Sequence, residues 1–325
     1  MSLVKAMPLG KIKNVLSLLR GGMVSNIWAI KVFSADSAVI AEAPHESRLD
    51  QPSLQASDID DAPAEFVADP FIIRHESKFY MFFEVLNKAS GRGEIGLAVS
   101  DDGEKWDYEK IVLKEKYHLS YPQVFKVNDD IFMLPETIET KKVLLYKAKR
   151  FPFEWEIACE LFSGSYVDPS IFKYENKWWL FAGSNQGKNL HLFYSDHLEG
   201  TWTEHPQSPL ISNNISITRP GGRIIVSDTN IYRYTQDGNP YYGSAMRVFK
   251  INELSVTEYK EELVDMILSG TNKESDWRKD GMHHIDQLQI NENQWLIAVD
   301  GHKSKRWNYV VWKLDRVISR LRKYA

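Results

Sequence analysis

Five polar residues stand at matching places along the chain: Asp69, Tyr121, Asp168, Arg219 and His284. The first four each precede a proline, in "ADPF", "SYPQ", "VDPS" and "TRPG", and successive members lie 52, 47 and 51 residues apart. A second acidic set follows at the same period, with Glu84 and Glu136 separated by 52 residues and Gly183 in the corresponding third place. His118, Arg223, His283 and Asp286 lie near these positions. Carboxyl groups brought together from distant segments push one another's pKa values apart, which is how one becomes an acid and another a base. Arginines beside them suit a phosphate or carboxylate, gripped through two parallel N–H donors.

Such residues meet only if the segments carrying them converge, and the repeat itself supplies the element. "VADPFIIRHESKFYMFFE", "SYPQVFKVNDDIFMLPE" and "YVDPSIFKYENKWWLFAG" each read as a strand, a polar turn and an aromatic strand. Each is followed by an alternating strand, a second polar turn and a tryptophan: Trp106, Trp155 and Trp202. Weaker copies lie at Ile217 to Tyr234 and at His283 to Asp300, the last aligned through Trp295 on Trp179. Short segments rich in β-branched and aromatic residues, bounded by Gly, Asn and Asp, are strands. A period of about fifty residues made of about four strands is a propeller blade. The expected fold is therefore all-β, a five-bladed β-propeller with four-stranded blades over 65–312. Residues 1–64 are expected to form an extension, part of it pairing with the propeller. "RWNYVVWKL" reads as a strand, and 313–325 as a short basic amphipathic helix packed on the propeller. The polar stretch from Asp265 to Met282 reads as a long loop.

In a propeller the first strand of every blade lines the axis, so the five aligned residues are expected around one channel. Asp-Pro at a strand start also serves as a plain turn element, since Asp caps and Pro presets φ. Two such motifs in register with Glu136, Arg219 and His284 favour a site. The three repeated tryptophans follow polar turns and are expected to pack blades rather than to contact a ligand.

Composition narrows the classes. The 325 residues are 43% hydrophobic, enough for a sizeable core, and the net charge of −4 leaves no nucleic-acid footprint. The single cysteine, Cys159, cannot form an internal disulfide, and nothing points to an oxidising compartment. No stretch of eighteen apolar residues suggests a membrane span, and a cytoplasmic location is expected. His283 and His284 are adjacent, and neither HExxH nor CxxC spacing occurs, so neither a metal nor a cofactor is expected.

The "ADPF" at Asp69 and the "DPS" at Asp168 resemble the family 43 glycoside hydrolases and their relatives in families 32, 62 and 68. "GEIGLAVSDDGEKW", "HLSYPQVFKVNDDIFMLPE" and the "RPGG" at 219–222 resemble more closely the family 43-like N-terminal domain of glucosamine inositolphosphorylceramide transferase and its stand-alone bacterial relatives. The resemblance implies that Asp69 is the general base and that Asp168 tunes the other carboxyls, although the family keeps its tuning Asp in the second copy, where this chain has Tyr121. The family's proton donor is a Glu of blade three. This chain has Gly183 there, and Glu136, then Glu84, are the candidates for that role.

Two function classes stay open. The first is an enzyme acting at a glycosidic bond by hydrolysis or transfer, in glycan or surface-polysaccharide synthesis. There Asp69, Glu136 and Asp168 are catalytic. Glu84, His118, Tyr121, Arg219, Arg223, His283, His284 and Asp286 bind a sugar or sugar phosphate, with Arg219, Arg223 and His284 holding its anionic group. The second is a non-catalytic propeller that binds a glycan or supports a glycosyltransferase partner.

Overall fold

A computed structural model describes residues 22–184, 186–227 and 230–322. Its strands, in chain order, begin with β1 (Met23–Ala35). Blade one is β2 (Ala64–His75), β3 (Lys78–Asn87), β4 (Arg92–Ser100) and β5 (Asp107–Leu113). Blade two is β6 (Ser120–Val127), β7 (Asp130–Glu136), β8 (Lys142–Arg150) and β9 (Glu154–Ser163). Blade three is β10 (Val167–Tyr174), β11 (Lys177–Ser184), β12 (Asn189–Ser195) and β13 (Thr203–Glu204). Blade four has its inner strand in two pieces, β14 (Arg219–Pro220) and β15 (Ile225–Ser227). Both pair with β16 (Asn230–Asp237), followed by β17 (Ala245–Leu254) and β18 (Tyr259–Ser269). Blade five places β19 (Ile285–Asn291) innermost, then β20 (Gln294–Trp307), and β1 from the other end of the chain pairs antiparallel with β20 along its whole length. The architecture is the five-bladed propeller that the repeat implies.

Alternation within each strand buries both faces, because each blade is packed between two others. The core accordingly divides into five clusters, one per blade interface: Ile72 with Ala298 between blades five and one, Phe71 with Tyr146 between one and two, Leu134 with Leu180 between two and three, Phe181 with Ile231 between three and four, and Met246 with Ile297 between four and five. The repeated tryptophans serve these interfaces. Trp106 and Trp202 are core members and Trp155 packs against the core. Each indole N–H donates to a carbonyl of its own preceding turn: Gly103 at 3.1 Å, Pro152 at 2.9 Å and Leu198 at 3.0 Å. A buried indole thereby satisfies its one donor while it fills an interface.

The chain end differs from the strand read over "RWNYVVWKL". β20 stops at Trp307, and a helix, α1, spans Tyr309–Arg322. Asn308 explains the switch, because its side-chain oxygen accepts the N–H of Val310 at 2.9 Å and satisfies a donor that the first helical turn leaves unpaired. Arg316 pairs with Glu65, and Arg320 Nε donates to Ala89 O at 2.8 Å, which tethers α1 to the blade-one side of the ring.

Candidate active site

Asp69, Tyr121 and Asp168 share one unusual backbone state, with φ of 53°, 50° and 49°. Each lies where the β2–β3, β6–β7 or β10–β11 ladder slips, between Ala68 and Phe71, Ser120 and Gln123, and Val167 and Ser170. The Asp-Pro and Tyr-Pro dipeptides therefore mark a kink repeated at one depth in three blades. Left-handed backbone at a non-glycine residue costs on the order of 1–3 kcal/mol and persists where the surroundings enforce it. Here the kink turns each N–H onto a neighbouring carboxylate. Asp69 N donates to Asp300 Oδ2 at 3.0 Å, Tyr121 N to Asp69 Oδ2 at 3.3 Å, and Asp168 N to Glu136 Oε2 at 3.2 Å. In blade four the "RPGG" takes another route. Gly222 bridges in parallel to Ile285 so closely that a Cβ there would lie 1.8 Å from Ile285 O.

The second ring of residues is set by the ladders. Glu84 faces Ala68, Glu136 faces Ser120, Gly183 faces Val167 and Gln236 faces Arg219. Ile285 faces Val299, so the next pair outward places Asp300 beside His284. Asp300 was missed by sequence reasoning. The hairpin between β19 and β20 carries a bulge at Gln289 and Asn291, so Leu296 faces Leu288 where Trp179 faces Phe172 in blade three. Anchoring blade five on Trp295 therefore shifts its second strand by one residue and hides the acid.

The acids, with their partners, form one buried cluster. Asp300 accepts the N–H groups of His283 at 3.1 Å and His284 at 3.0 Å, and its Oδ1 lies 2.8 Å from His283 Nδ1. Burial works against a charge on His283, but the hydrogen bond and field of Asp300 outweigh it and raise its pKa. His284 Nε2 lies 3.0 Å from Pro70 O, which fixes the proton on that nitrogen and leaves Nδ1 as an acceptor. That Nδ1 is 3.7 Å from Asp69 Oδ1, and His283 Nε2 is 3.8 Å away. Asp69 Oδ1 itself is buried without a hydrogen-bond partner. Burial, with Asp300 and Asp168 adding to it against His283 and Arg219, pushes the Asp69 carboxyl up to about 7.

Across the channel, Arg219 grips Asp168 through Nε and through Nη2 at 3.4 Å, and Nη2 also reaches Glu136 Oε2 at 3.6 Å. Gln236 Nε2 donates to Asp168 Oδ2 at 2.8 Å. Burial, then the Asp168 charge, push the Glu136 carboxyl well above the ordinary range despite Arg219. Glu84 is raised for the same first reason, with Asp69, Glu136, Asp168 and Asp300 all adding to it. His118 lies 3.3 Å from Glu84 Oε1, accepts the Gly93 N–H on Nδ1 at 2.9 Å, and is kept neutral by burial. The rim is made by His118, the partly exposed Arg219, and Tyr242, over whose ring the guanidinium sits at 4.9 Å.

Of the residues singled out in the sequence, Asp69, Glu84, His118, Tyr121, Glu136, Asp168, Arg219, His283 and His284 come together here. Tyr121 contributes its backbone N–H, while its hydroxyl points to Ser170 Oγ at 2.7 Å. Arg223 and Asp286 lie deeper. Arg223 Nε donates to Asp286 Oδ1 at 2.8 Å, and Nη2 to the carbonyls of Val124 at 3.0 Å and Ile72 at 3.3 Å. Asp286 Oδ2 accepts the Ile72 N–H at 2.7 Å. This pair ties four blades together across the axis. The expected anion grip by Arg219, Arg223 and His284 is not what the geometry offers, because both arginines are answered by carboxylates and burial lowers His284 to about 4.

Two further aromatics were out of reach of repeat analysis. Trp28 of β1 stacks on His283 with ring centroids 3.8 Å apart, and Tyr242 from the β16–β17 connection meets that ring edge-on at 5.2 Å. One atom each of Asp69, His283 and Asp300 lie within 4.8 Å of one another, a spacing that a cation could bridge. Asp300 already accepts three backbone N–H groups and faces His283 Nδ1, which leaves Asp69 Oδ1 as the trio's unpartnered atom.

His302, also against Trp28 at 4.2 Å, gives a testable consequence. Burial, helped by the nearby His283, lowers it to about 4 from 6.5. The folded state then binds fewer protons than the unfolded chain between those values, so stability is lost as pH falls from 6.5 toward 4. His302→Phe is expected to shrink the stability difference between pH 7 and pH 4 by on the order of 2–3 kcal/mol, measured by urea unfolding at both pH values. An unchanged difference would remove His302 as an acid-sensitive group.

The comparisons with known proteins agree with this architecture. Residues 28–302 match the family model described as glucosamine inositolphosphorylceramide transferase 1, N-terminal. The chain is 36% identical over 250 residues to glucosamine inositolphosphorylceramide transferase 1 of Oryza sativa subsp. japonica, covering 74% of this chain and 34% of that protein. It is 33% identical over 298 residues to the Arabidopsis thaliana protein of the same name, covering 85% of this chain and 39% of that one. It thus spans little more than a third of these relatives. Among solved structures, an exo-1,5-alpha-L-arabinanase from a bovine ruminal metagenomic library superposes with a TM-score of 0.54 at 16% identity, over 76% of this chain and 94% of that one. A thermostable family-43 glycoside hydrolase superposes with a TM-score of 0.52 at 15% identity, over 73% and 89%. At these identities the two structures speak for the fold alone, whereas the family match extends over most of the chain: the protein belongs to the family of the N-terminal region of glucosamine inositolphosphorylceramide transferase 1.

Proposed function

We propose that the channel-mouth cluster performs acid–base chemistry at a glycosidic bond during glycan or glycolipid assembly. The observation that carries this reading is the division between Asp69 and Glu136. Asp69 titrates near neutrality and keeps one oxygen without a partner, as a base requires. Glu136 is pushed well above the ordinary carboxylate range by burial and the Asp168 charge, which favours the protonated form that a proton donor to a leaving oxygen requires. Asp168 holds Glu136 in place through its backbone N–H, and Arg219 with Gln236 orients Asp168. Glu84, beside His118, is the alternative donor. The relatives' printed name, glucosamine inositolphosphorylceramide transferase 1, supports assembly rather than polymer digestion.

One observation favours a second reading, a propeller that binds a glycan for a glycosyltransferase partner. Blade three has Gly183 where blades one and two carry Glu84 and Glu136, and a Cβ on Gly183 would come within 2.7 Å of Val167 Cγ2. Turnover of activated dinitrophenyl and unactivated methyl glycosides by wild type and Glu136→Gln separates the two. If Glu136 is the donor, the variant keeps most activity on the activated substrates and loses it on the unactivated ones, because a good leaving group needs no proton. Equal losses on both would remove Glu136 from that role. Saturable glycan binding with no turnover of any substrate would establish the second reading.

A further inference from the structure

The channel has a second opening. The Arg223–Asp286 pair sits at the depth of Ile72 and Val124, three residues along the inner strands from Asp69 and Tyr121, and divides the axis in two. Beyond it lies a cavity of about 360 Å³ lined from blades two to five, with Arg223 at its inner end. Specific small-molecule pockets have volumes of about 300–1,000 Å³.

The walls of this cavity carry a consistent chemistry. Arg74, Lys126, Lys173 and Gln289 each stand five residues beyond Asp69, Tyr121, Asp168 and His284, at the same place on four inner strands. Lys126, Lys173 and Gln289 line the cavity, and none of its lining residues is a carboxylate. Lys173 lies over the Trp178 ring at 5.8 Å, and Lys126 makes no ion pair among the described residues. The charge of Arg223 is already answered by Asp286. Two uncompensated amines are thus held at a concave site in a chain whose net charge is −4. Phe125 and Trp178 stand 5.9 Å apart at 47°, and the half-buried Trp295 adds a third aromatic wall.

We propose that this far-end cavity binds a small anionic sugar, its phosphate or carboxylate between Lys126 and Lys173 and its ring against the aromatic wall. The anion supplies what the two amines lack, since lysine serves as a mobile point charge for such groups. The Gln289 amide offers a donor and an acceptor to hydroxyls. The site is separate from the carboxyl cluster and takes the anion that Arg219 and Arg223 cannot.

Thermal unfolding with inorganic phosphate, glucose, glucose 6-phosphate and glucuronate tests this. A ligand that binds only the folded state raises the melting temperature in a concentration-dependent way. The anionic sugars, or whichever of the two the cavity prefers, are expected to give a saturable shift that weakens with salt, with glucose giving none. Lys126→Ala combined with Lys173→Ala is expected to abolish the shift, and Asp69→Asn to keep it. Both lysines are exposed, so the double variant should fold, and its melting curve without ligand checks this. No saturable shift with either anionic sugar, or a shift that survives the double variant, overturns the proposal. An equal shift from phosphate alone overturns the part played by the aromatic wall.

Discussion

Replacing Asp69 by Asn is expected to stabilise the fold above neutral pH and to remove the proposed turnover. The stability half follows from the raised carboxyl. With a folded pKa of about 7 against 3.8, Asp69 binds more protons in the folded state than in the unfolded chain across that interval. Stability present below 3.8 is therefore lost as pH rises through 7. Asparagine does not titrate. Its oxygen can keep the Tyr121 N–H, and its amide can face His284 Nδ1, the acceptor that a protonated Asp69 would meet. The expected gain over wild type is on the order of 2–4 kcal/mol at pH 8 and close to nothing at pH 4, read from urea unfolding. Turnover should fall about 10²- to 10⁴-fold, the usual worth of a positioned proton-transfer group. A variant less stable than wild type at pH 8 would contradict the burial argument. Undiminished turnover would remove Asp69 as the base.

Arg219→Ala should produce the largest loss of stability. Asp168 is 1% exposed, and without the guanidinium its remaining side-chain donor is Gln236. Breaking a buried pair by removing one partner costs about 3–5 kcal/mol, because the other charge stays behind. Glu136 loses its cationic neighbour as well, so its carboxyl rises further. Arg219→Lys keeps the charge without the planar fork and should fall between the two. Unfolding of the three proteins in urea at pH 7 checks the order. An Arg219→Ala protein within about 1 kcal/mol of wild type would show that the pair contributes little to the fold.

Much of this site is legible in the chain's own spelling, for a local reason. A kink followed by proline is written in adjacent residues, so Asp69, Tyr121 and Asp168 mark one depth in three blades. Glu84 and Glu136 follow because their hairpins have equal length. Asp300 does not, because one bulge in the last hairpin shifts the count. Trp28 and Tyr242 reach the site from β1 and from a loop, outside the repeat altogether. The state of the arginines is also hidden. Arg223 and Asp286 are 63 residues apart, and a sequence shows that both face the axis without showing that they face each other. Helix α1 begins early because one side chain, Asn308, caps it, and an apolar run such as "YVVW" suits either state.

The pairing of β1 with β20 makes assembly of the site wait for the closing of the ring. Met23 waits for Trp307, so during synthesis β1 stays unpaired until β20 has left the ribosome. Contacts this distant in sequence are slow to form, since a long loop must close before they repay its entropy. β1 also brings Trp28 onto His283, the residue that meets Asp300 on one side and Asp69 on the other. A nascent or clipped chain without β20 lacks Asp300 and the pairing that brings Trp28 onto His283 beside Asp69. The proposed chemistry is thereby tied to the closing of the ring, and an open ring is expected to lack it.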